Sequence, residues 1–378
     1  MTADSPAPAR DAARGQEVTP LELFFDLVFV FAVAQLSHHL SVHLAWRGIA
    51  ETLVLTLPVF AVWLYTSWAA TLFGADEPET RRMILAVMLP GLFMNASITG
   101  AFSTSAWAFI VPFLLIQFGR TFWSYKNAPD ALYRDQFLRV LVWMVATAPL
   151  WIAGATVNPS RRLAWWAVAA GIDVVGTWLA QPIPGRRLHS QSMSFAADHM
   201  LERCRLFLLV ALGETILSTG RAVADASLTL ITILTGTASL VGVVALWALG
   251  FGSAVRVTEP HVEETNDPVR ASRHAANALT LMVLGLIAVA VANEEVIGRP
   301  HGPAPIAVRL FVFGGPMCLL LAQAWYVAAV PRVSARPRLL GVGGLCLVAI
   351  AAFFAPPVVA HILMAVSLSV LAALDLRQ

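Results

Sequence analysis

The chain has 378 residues, of which 58% are hydrophobic and only 13% are charged, and its mean hydropathy is +0.72. Since a soluble domain carries about 25% charged residues, this composition excludes an ordinary soluble protein and indicates one that crosses a membrane several times. The formal net charge of +2 comes from basic residues scattered between apolar runs, which excludes a nucleic-acid-binding surface. The sequence contains no nucleotide-binding loop, zinc-protease helix or haem motif, so neither a metal nor a cofactor is predicted.

Residues 1–19 form a short segment rich in alanine and proline, which we predict to be a disordered cytoplasmic N-terminus. Beyond it the chain consists mainly of apolar runs long enough to cross a bilayer, for which about 20 residues are needed. The predicted fold class is therefore all-α, a polytopic transmembrane helical bundle of about twelve spans. The spans are predicted near residues 21–44, 49–73, 83–101, 104–126, 136–156, 161–180, 199–219, 227–255, 274–295, 304–330, 338–355 and 357–375.

A loop rich in proline and arginine, residues 181–198, divides the chain into two sets of six predicted spans, 20–180 and 199–378. Both sets open with a glutamate followed by an apolar run, Glu22 and Glu202, which suggests two parallel six-helix halves. Most arginines of the connections fall on one side of the predicted bundle, the side that also holds this loop. Because basic residues concentrate on the cytoplasmic side, we predict a cytoplasmic linker and two cytoplasmic termini.

The first span is unusually polar for a membrane helix. Its polar residues are Glu22, Asp26, Gln35, His38 and His39. A charged side chain costs about 2.5–3.5 kcal/mol at the centre of a membrane helix. Such residues are therefore found where an oppositely charged side chain pairs with them or where they have a functional role. Glu22 and Asp26 share one face of the helix, whereas Gln35 and His39 share another. A helix that is polar on two faces cannot lie against lipid on either, which predicts a central position in the bundle.

The seventh span carries His199, Arg203 and Glu214 in one stripe, because spacings of four and eleven residues are close to whole helical turns. Arg203 lies at the predicted depth of Glu22 and Asp26, and a contact between Asp26 and Arg203 is predicted to join spans one and seven. Other charged residues fall in the same layer. The predicted inner cluster consists of Glu22, Asp26, Arg120, Asp173, Glu202 and Arg203, with Arg205 beside them.

A second, outer layer is predicted to join Glu214 to Gln35 and to one of the two adjacent histidines, His38 or His39. The sequence leaves three interpretations of the two layers open. They form a structural clamp that sets helix register, they are stations on a proton or ion path, or they are the acid and base of a membrane enzyme. The candidate relay or pocket residues are Glu214, His38, Gln35 and His199.

The motifs ELFFDLVFVFAVAQLSHHL and HMLERCRLFLLVALGETIL, together with GIDVV in span six, resemble the signatures of the bacterial low temperature requirement protein A family. The resemblance extends from about Val18 to the last span. It implies a multi-pass protein of the bacterial inner membrane that is needed for growth in the cold, and hence a link to stress response. The positions that match the family pattern are Glu22, Asp26, Gln35, His38, His199, Glu202, Arg203, Gly213 and Glu214.

The expected function is transport or permeation of a small molecule or an ion across the lipid bilayer, with the charged layers as a relay. One alternative is a membrane-embedded enzyme that acts on a lipid or isoprenoid-like substrate, for which Trp165, Trp166 and Trp178 would line a pocket. Another is a stress-response scaffold or sensor, which the short loops disfavour. A hydrated cavity that reaches Glu214 from one side would favour transport, and a closed apolar pocket with a lateral opening to lipid would favour catalysis. A dry interior with every charge paired would favour the clamp.

Overall fold

The computed structural model describes residues 17–183, 195–252, 267–302, 304–329 and 334–376. These residues form twelve α-helices and a short 3₁₀-helix at Ile98–Gly100, and a helix occupies each predicted span, which confirms the all-α fold class. The helices are α1 (Pro20–Val42), α2 (Trp46–Phe73), α3 (Pro78–Ala96), α4 (Ala106–Lys126), α5 (Ala131–Thr156), α6 (Pro159–Trp178), α7 (Ala197–Asp225), α8 (Leu230–Gly250), α9 (Pro268–Gly298), α10 (Ile306–Ala328), α11 (Arg336–Ala351) and α12 (Pro357–Asp375).

Nine of the described helices are long and apolar enough to cross a bilayer, namely α1, α2, α4, α5, α7, α8, α9, α10 and α12. The other three fall short for local reasons. α11 has only 16 residues, whereas α3 and α6 each begin with a pair of adjacent arginines and carry a further acidic residue. The count of twelve spans and the two halves therefore stay predictions. Residues 1–16 of the predicted N-terminal segment and residues 184–194 of the predicted linker lie outside the described residues.

The start of α1 is set by a capping box. The Thr19 hydroxyl accepts a hydrogen bond from the Glu22 amide at 3.3 Å, and the Glu22 carboxylate accepts one from the Thr19 amide at 3.0 Å. Pro20 occupies the first helical turn, where the amide hydrogen that proline lacks has no helical partner. These contacts satisfy amides that a helix start leaves unpaired. They also hold the Glu22 carboxylate in place at the point where α7 approaches.

α1 has four helix neighbours, but one part of its surface stays exposed, at Phe24, Leu27 and His38. It packs against α2, α3, α7 and α9, and Ala32 and Leu36 in its middle are fully buried. The N-terminal turns of α1 and α7 lie side by side, since Glu22 and Asp26 contact residues of the first two turns of α7. The two helices therefore run in the same direction.

α9 is the most extensively buried of the nine membrane-length helices described, and it packs along α7 and α10. Its closest approach to α10 is at two glycines. A Cβ atom on Gly285 would lie 2.6 Å from the carbonyl oxygen of Gly315, and one on Gly315 would lie 2.8 Å from that of Gly285. Small residues at such crossings let helix backbones pack directly, which compensates for the weak hydrophobic force between helices in lipid. This contact sets the position of α9 beside the helices that form the cavities described below.

Candidate functional site

A buried cluster of charged side chains joins α1 to α7. Arg203 donates from Nη2 to Asp26 Oδ1 at 2.6 Å, and its Nη1 lies 3.3 Å from Glu22 Oε1. The Nε2 atom of His199 lies 3.3 Å from Glu22 Oε2. Both carboxylates are fully buried, and only 1% of the Arg203 side chain is exposed. The structure thus contains the predicted contact between Asp26 and Arg203 and adds His199 to it.

Neighbouring side chains complete the cluster. The indole of Trp63 donates to Asp26 Oδ1 at 2.7 Å, and the Arg203 guanidinium lies 5.6 Å from the ring centre of Phe25 and 5.8 Å from that of Trp63. A guanidinium that is enclosed by aromatic faces and carboxylates exchanges its hydration for protein contacts. Glu22 and Asp26 are 0% exposed, His199 is 2% exposed and Arg203 is 1% exposed. The cluster is therefore closed to solvent, which favours the clamp over the relay.

Both ring nitrogens of His199 have a polar neighbour. Nδ1 lies 2.9 Å from the Thr71 hydroxyl on α2, and Nε2 lies 3.3 Å from Oε2 of Glu22 on α1. The Thr71 hydroxyl also lies 3.0 Å from the carbonyl oxygen of Ser67. The imidazole therefore connects α7 to both α1 and α2.

Three residues of the predicted inner cluster lie elsewhere, so the prediction was wrong for Arg120, Asp173 and Glu202. Glu202 is exposed, and its carboxylate lies 3.4 Å from the Arg205 guanidinium. Adjacent residues of a helix point about 100° apart, so Glu202 faces away from α1 when Arg203 faces towards it. Asp173 faces α5, where it accepts a hydrogen bond from the indole of Trp151 at 2.9 Å. α6 packs mainly against α5 and α2, which keeps Asp173 away from α7.

Arg120 is buried on α4 among neutral acceptors. It donates to Gln117 Oε1 at 2.5 Å and to the carbonyl of Val62 at 3.4 Å, and its guanidinium lies 5.3 Å from the ring centre of Tyr65. α4 packs against α3, α5 and α2, and the contacts of Arg120 outside its own helix are with α2. Neither Glu22 nor Asp26 is among the partners of Arg120.

The predicted outer layer is also wrong. Glu214 is bonded to Arg221, whose Nη2 lies 2.6 Å from Glu214 Oε1. Arg221 follows by seven residues, or about two turns, and so lies on the same face of α7. His38 is exposed and Gln35 is only partly buried, whereas His39 is buried. The carboxylate of Glu214 is therefore satisfied within its own helix and needs no histidine from α1.

His39 has a different partner, which the sequence reasoning missed. Its Nε2 atom lies 3.2 Å from Glu51 Oε2 on α2, and Arg47 donates to the other oxygen of Glu51 at 2.7 Å. The signal was present in the sequence, because Arg47 and Glu51 are four residues apart on one helix face. A second missed pair joins α11 to α12, where Arg338 Nη1 lies 2.5 Å from Asp375 Oδ1. Both pairs hold helices together at the ends of the bundle.

A pocket inside the bundle lies away from these charge pairs. It is a cavity of about 200 Å³ between α2, α4, α5, α6 and α9, with Trp325 of α10 at its edge. Its walls are mainly aromatic and aliphatic. Its polar lining residues include Tyr65, Gln117, Thr147, Asp173, Thr177 and Gln181. We call it the aromatic cavity, since four of its wall residues are tryptophans: Trp143, Trp151, Trp178 and Trp325.

A smaller cavity of about 70 Å³ adjoins the aromatic cavity, and Arg120 and Arg273 line it. The two cavities share a wall of hydrogen-bonded side chains. Tyr65 and Thr177 are joined through their hydroxyls at 3.0 Å, and the Gln181 amide donates to the Tyr65 hydroxyl at 2.6 Å. This wall, which we call the Tyr65 partition, separates a compartment with a carboxylate from one with two guanidinium groups.

The sequence suggested Trp165, Trp166 and Trp178 as pocket residues, and the three lie in different environments. Trp178 lines the aromatic cavity and is 57% exposed. Trp166 is fully buried and donates to the carbonyl of Trp151 at 3.0 Å, so it is a packing residue. Trp165 points outward from α6 and is 39% exposed. In the described ranges there is no group of three histidine, cysteine or acidic side chains that could hold a metal ion.

Fold and site together define a polytopic helical membrane protein with a charge-paired core and an internal aromatic cavity. The family model described as bacterial low temperature requirement A protein matches residues 17–373, and the chain belongs to this family. An uncharacterized protein of Rhizobium meliloti (strain 1021) is 26% identical over 327 residues, which is 85% of this chain and 80% of that protein. No solved structure matches the chain significantly.

Proposed function

We propose that this protein transports a small molecule across the bacterial inner membrane, with the aromatic cavity as the substrate compartment and both termini in the cytoplasm. The main support for the proposal is that the aromatic cavity and the smaller cavity adjoin each other. The aromatic cavity lies along the middle of α4, α5 and α9 and the second half of α6. The smaller one lies where α4 and α6 end and α5 and α9 begin. Those ends are the predicted cytoplasmic ends. Two compartments along the helix axes, divided by side chains that can exchange hydrogen-bond partners, suit stepwise passage of a solute.

The charge cluster of α1 and α7 supports transport as a scaffold in this proposal and does not carry protons. A relay needs water or a titratable neighbour on each side, whereas Arg203, His199 and the two carboxylates contact one another and are enclosed. Breaking such a buried pair costs about 3–5 kcal/mol, which suits a fixed joint between helices. The moving parts would then be the helices around the cavities.

Uptake into liposomes tests the proposal. The full-length protein would be reconstituted, and the uptake of three labelled aromatic solutes measured: benzyltrimethylammonium, phenylalanine and benzenesulfonate, which are a cation, a zwitterion and an anion. At least one should enter faster than into empty liposomes. Ala61→Trp, which fills the aromatic cavity from α2, should abolish that uptake. Ala146→Trp on the exposed face of α5 should leave it unchanged. Rates equal to those of empty liposomes for all three solutes would refute transport of aromatic solutes through this cavity.

A membrane-embedded enzyme is a second candidate, and one observation favours it. The wall of the aromatic cavity includes Trp178, 57% exposed, and Leu281, 40% exposed. The cavity therefore reaches the lipid-facing surface, which gives a lipophilic substrate a lateral route to Asp173. Lipid and small-molecule profiling of a strain that lacks the gene separates the two candidates. If the deletion strain accumulates one compound and lacks the product formed from it, the protein is an enzyme. If all products are present and only the cellular concentration of one solute changes, the protein is a transporter.

A further inference from the structure

The Asp173 carboxylate borders the aromatic cavity without a basic partner. It accepts a hydrogen bond from Trp151 at 2.9 Å, and no described arginine, lysine or histidine lies within ion-pair distance of it. This sets Asp173 apart from Glu22, Asp26 and Glu51, each of which has a basic partner. A carboxylate in an apolar surrounding is costly unless a positive charge faces it. A positive charge on an occupant of the cavity would compensate this carboxylate.

We propose that the aromatic cavity binds a small organic cation, with Asp173 as its counter-charge. This inference rests on the proposed function, because it names the class of substrate for the transport compartment. Tryptophan presents the face that attracts cations most strongly, and several such faces around one site are the usual means of holding quaternary or protonated amines. The aromatic cavity has four tryptophans in its wall and one carboxylate.

Three of the four tryptophans are held in orientation by further contacts. The indole of Trp143 donates to the carbonyl of Pro182 at 3.0 Å. Trp178 and Trp325 stack with their ring centres 6.0 Å apart and their planes at 19°. Rings that are held by such contacts lose little conformational freedom when a ligand binds, which favours affinity.

The composition of the wall also selects among cations. Magnesium and calcium ions require six or more oxygen ligands, whereas this cavity offers one carboxylate among mainly apolar groups. An organic cation carries its own apolar surface, which the tryptophans can cover. Arg120 and Arg273 lie beyond the Tyr65 partition, so they repel the cation from the smaller cavity while the partition is closed. The cation is thus held on the Asp173 side.

Equilibrium binding to the full-length protein in detergent micelles tests the inference. Titration calorimetry would compare benzyltrimethylammonium with phenylmethanesulfonate, an anion of similar size. The wild-type protein should bind the cation at least tenfold more tightly. Asp173→Asn keeps an oxygen that can accept from Trp151 but removes the charge, and it should weaken cation binding at least tenfold. Glu79→Gln, at an exposed acid of α3, should change nothing.

A second variant covers the case in which Asp173→Asn does not fold. Trp178→Leu alters an exposed part of the wall and should weaken cation binding several-fold without affecting the anion. Equal binding of the two ions to the wild-type protein, or unchanged cation binding in both variants, would overturn the inference. The outcomes for the two proposals are distinct. Uptake of phenylalanine or benzenesulfonate without cation binding refutes the inference alone, and Asp173-dependent cation binding without any uptake refutes transport alone.

Discussion

Replacing Arg203 by methionine should be among the most damaging single changes in α7. Methionine keeps much of the apolar stem of arginine but removes the guanidinium that faces Asp26 at 2.6 Å and Glu22 at 3.3 Å. Glu22 retains His199 as a partner, whereas Asp26 keeps only a neutral donor, the indole of Trp63. One fully buried carboxylate is thus left without a counter-charge. The expected loss of unfolding free energy is about 3–5 kcal/mol.

A double variant separates the stranded charge from the lost packing. Asp26→Asn in the Arg203→Met background removes the uncompensated carboxylate while an amide oxygen still accepts from Trp63. Replacing both members of a buried ion pair by neutral groups is often close to neutral, so the double variant should recover at least about 2 kcal/mol of the loss. Arg221→Met is the matched control on the same helix. The Arg221 side chain is 66% exposed and that of its partner Glu214 is 14% exposed, so its removal should cost about 1–2 kcal/mol, less than the loss of the fully buried pair.

The assay is equilibrium unfolding of the purified protein in mixed micelles with increasing sodium dodecyl sulfate, followed by far-ultraviolet circular dichroism. The wild type, the two single variants, the double variant and the control are measured under one set of conditions, so that a coupling energy between positions 26 and 203 is obtained. Two results would refute the reasoning. One is an Arg203→Met variant no less stable than Arg221→Met, and the other is a double variant whose loss equals the sum of its single losses.

Three further predictions concern other helix contacts and use the same unfolding assay. His39→Leu should cost about 1–3 kcal/mol because it breaks a buried hydrogen bond to α2, whereas His38→Leu on the exposed face should stay within about 0.5 kcal/mol. Gly285→Ala should cost about 1–3 kcal/mol by separating α9 from α10, whereas Gly343→Ala, which meets open space, should be neutral or stabilise by up to about 1 kcal/mol. Asp375→Asn should cost about 3 kcal/mol by stranding a buried guanidinium of α11, and it should speed proteolysis near the C-terminus.

Each of these predictions has a result that contradicts it. Equal losses for the two histidine variants would mean that His38, and not His39 alone, has a structural partner. A Gly285→Ala variant as stable as Gly343→Ala would mean that α9 and α10 do not pack backbone to backbone. An unchanged proteolysis rate in Asp375→Asn would mean that the ion pair does not hold the last helix in place.

Much of the fold could be predicted because membrane insertion imposes simple rules on composition. Apolar runs of about 20 residues predict helices, since a backbone in lipid must satisfy its own hydrogen bonds. A helix now occupies each predicted span, although three of the described helices fall short of the length and composition of a span. The contact between Asp26 and Arg203 could also be predicted, because a charge at a given depth needs an opposite charge at the same depth.

The rest of the site depended on which way each side chain points, and depth alone does not specify this. Glu202 and Arg203 are adjacent in the sequence, yet one faces the surface and the other the cluster. His38 and His39 divide in the same way. Each step of one residue turns a side chain by about 100°, so the helix packing chooses between neighbours.

By itself, the sequence determined a polytopic helical membrane protein with a polar first helix that must be buried, because composition and helical periodicity are local properties. The tertiary structure decided which charges meet, that Glu214 is bonded to Arg221, and that Asp173 borders a cavity among tryptophans from three helices. A cavity is the space that several helices leave between them after packing. Its shape and lining therefore depend on contacts between residues far apart in the chain, which no single segment encodes.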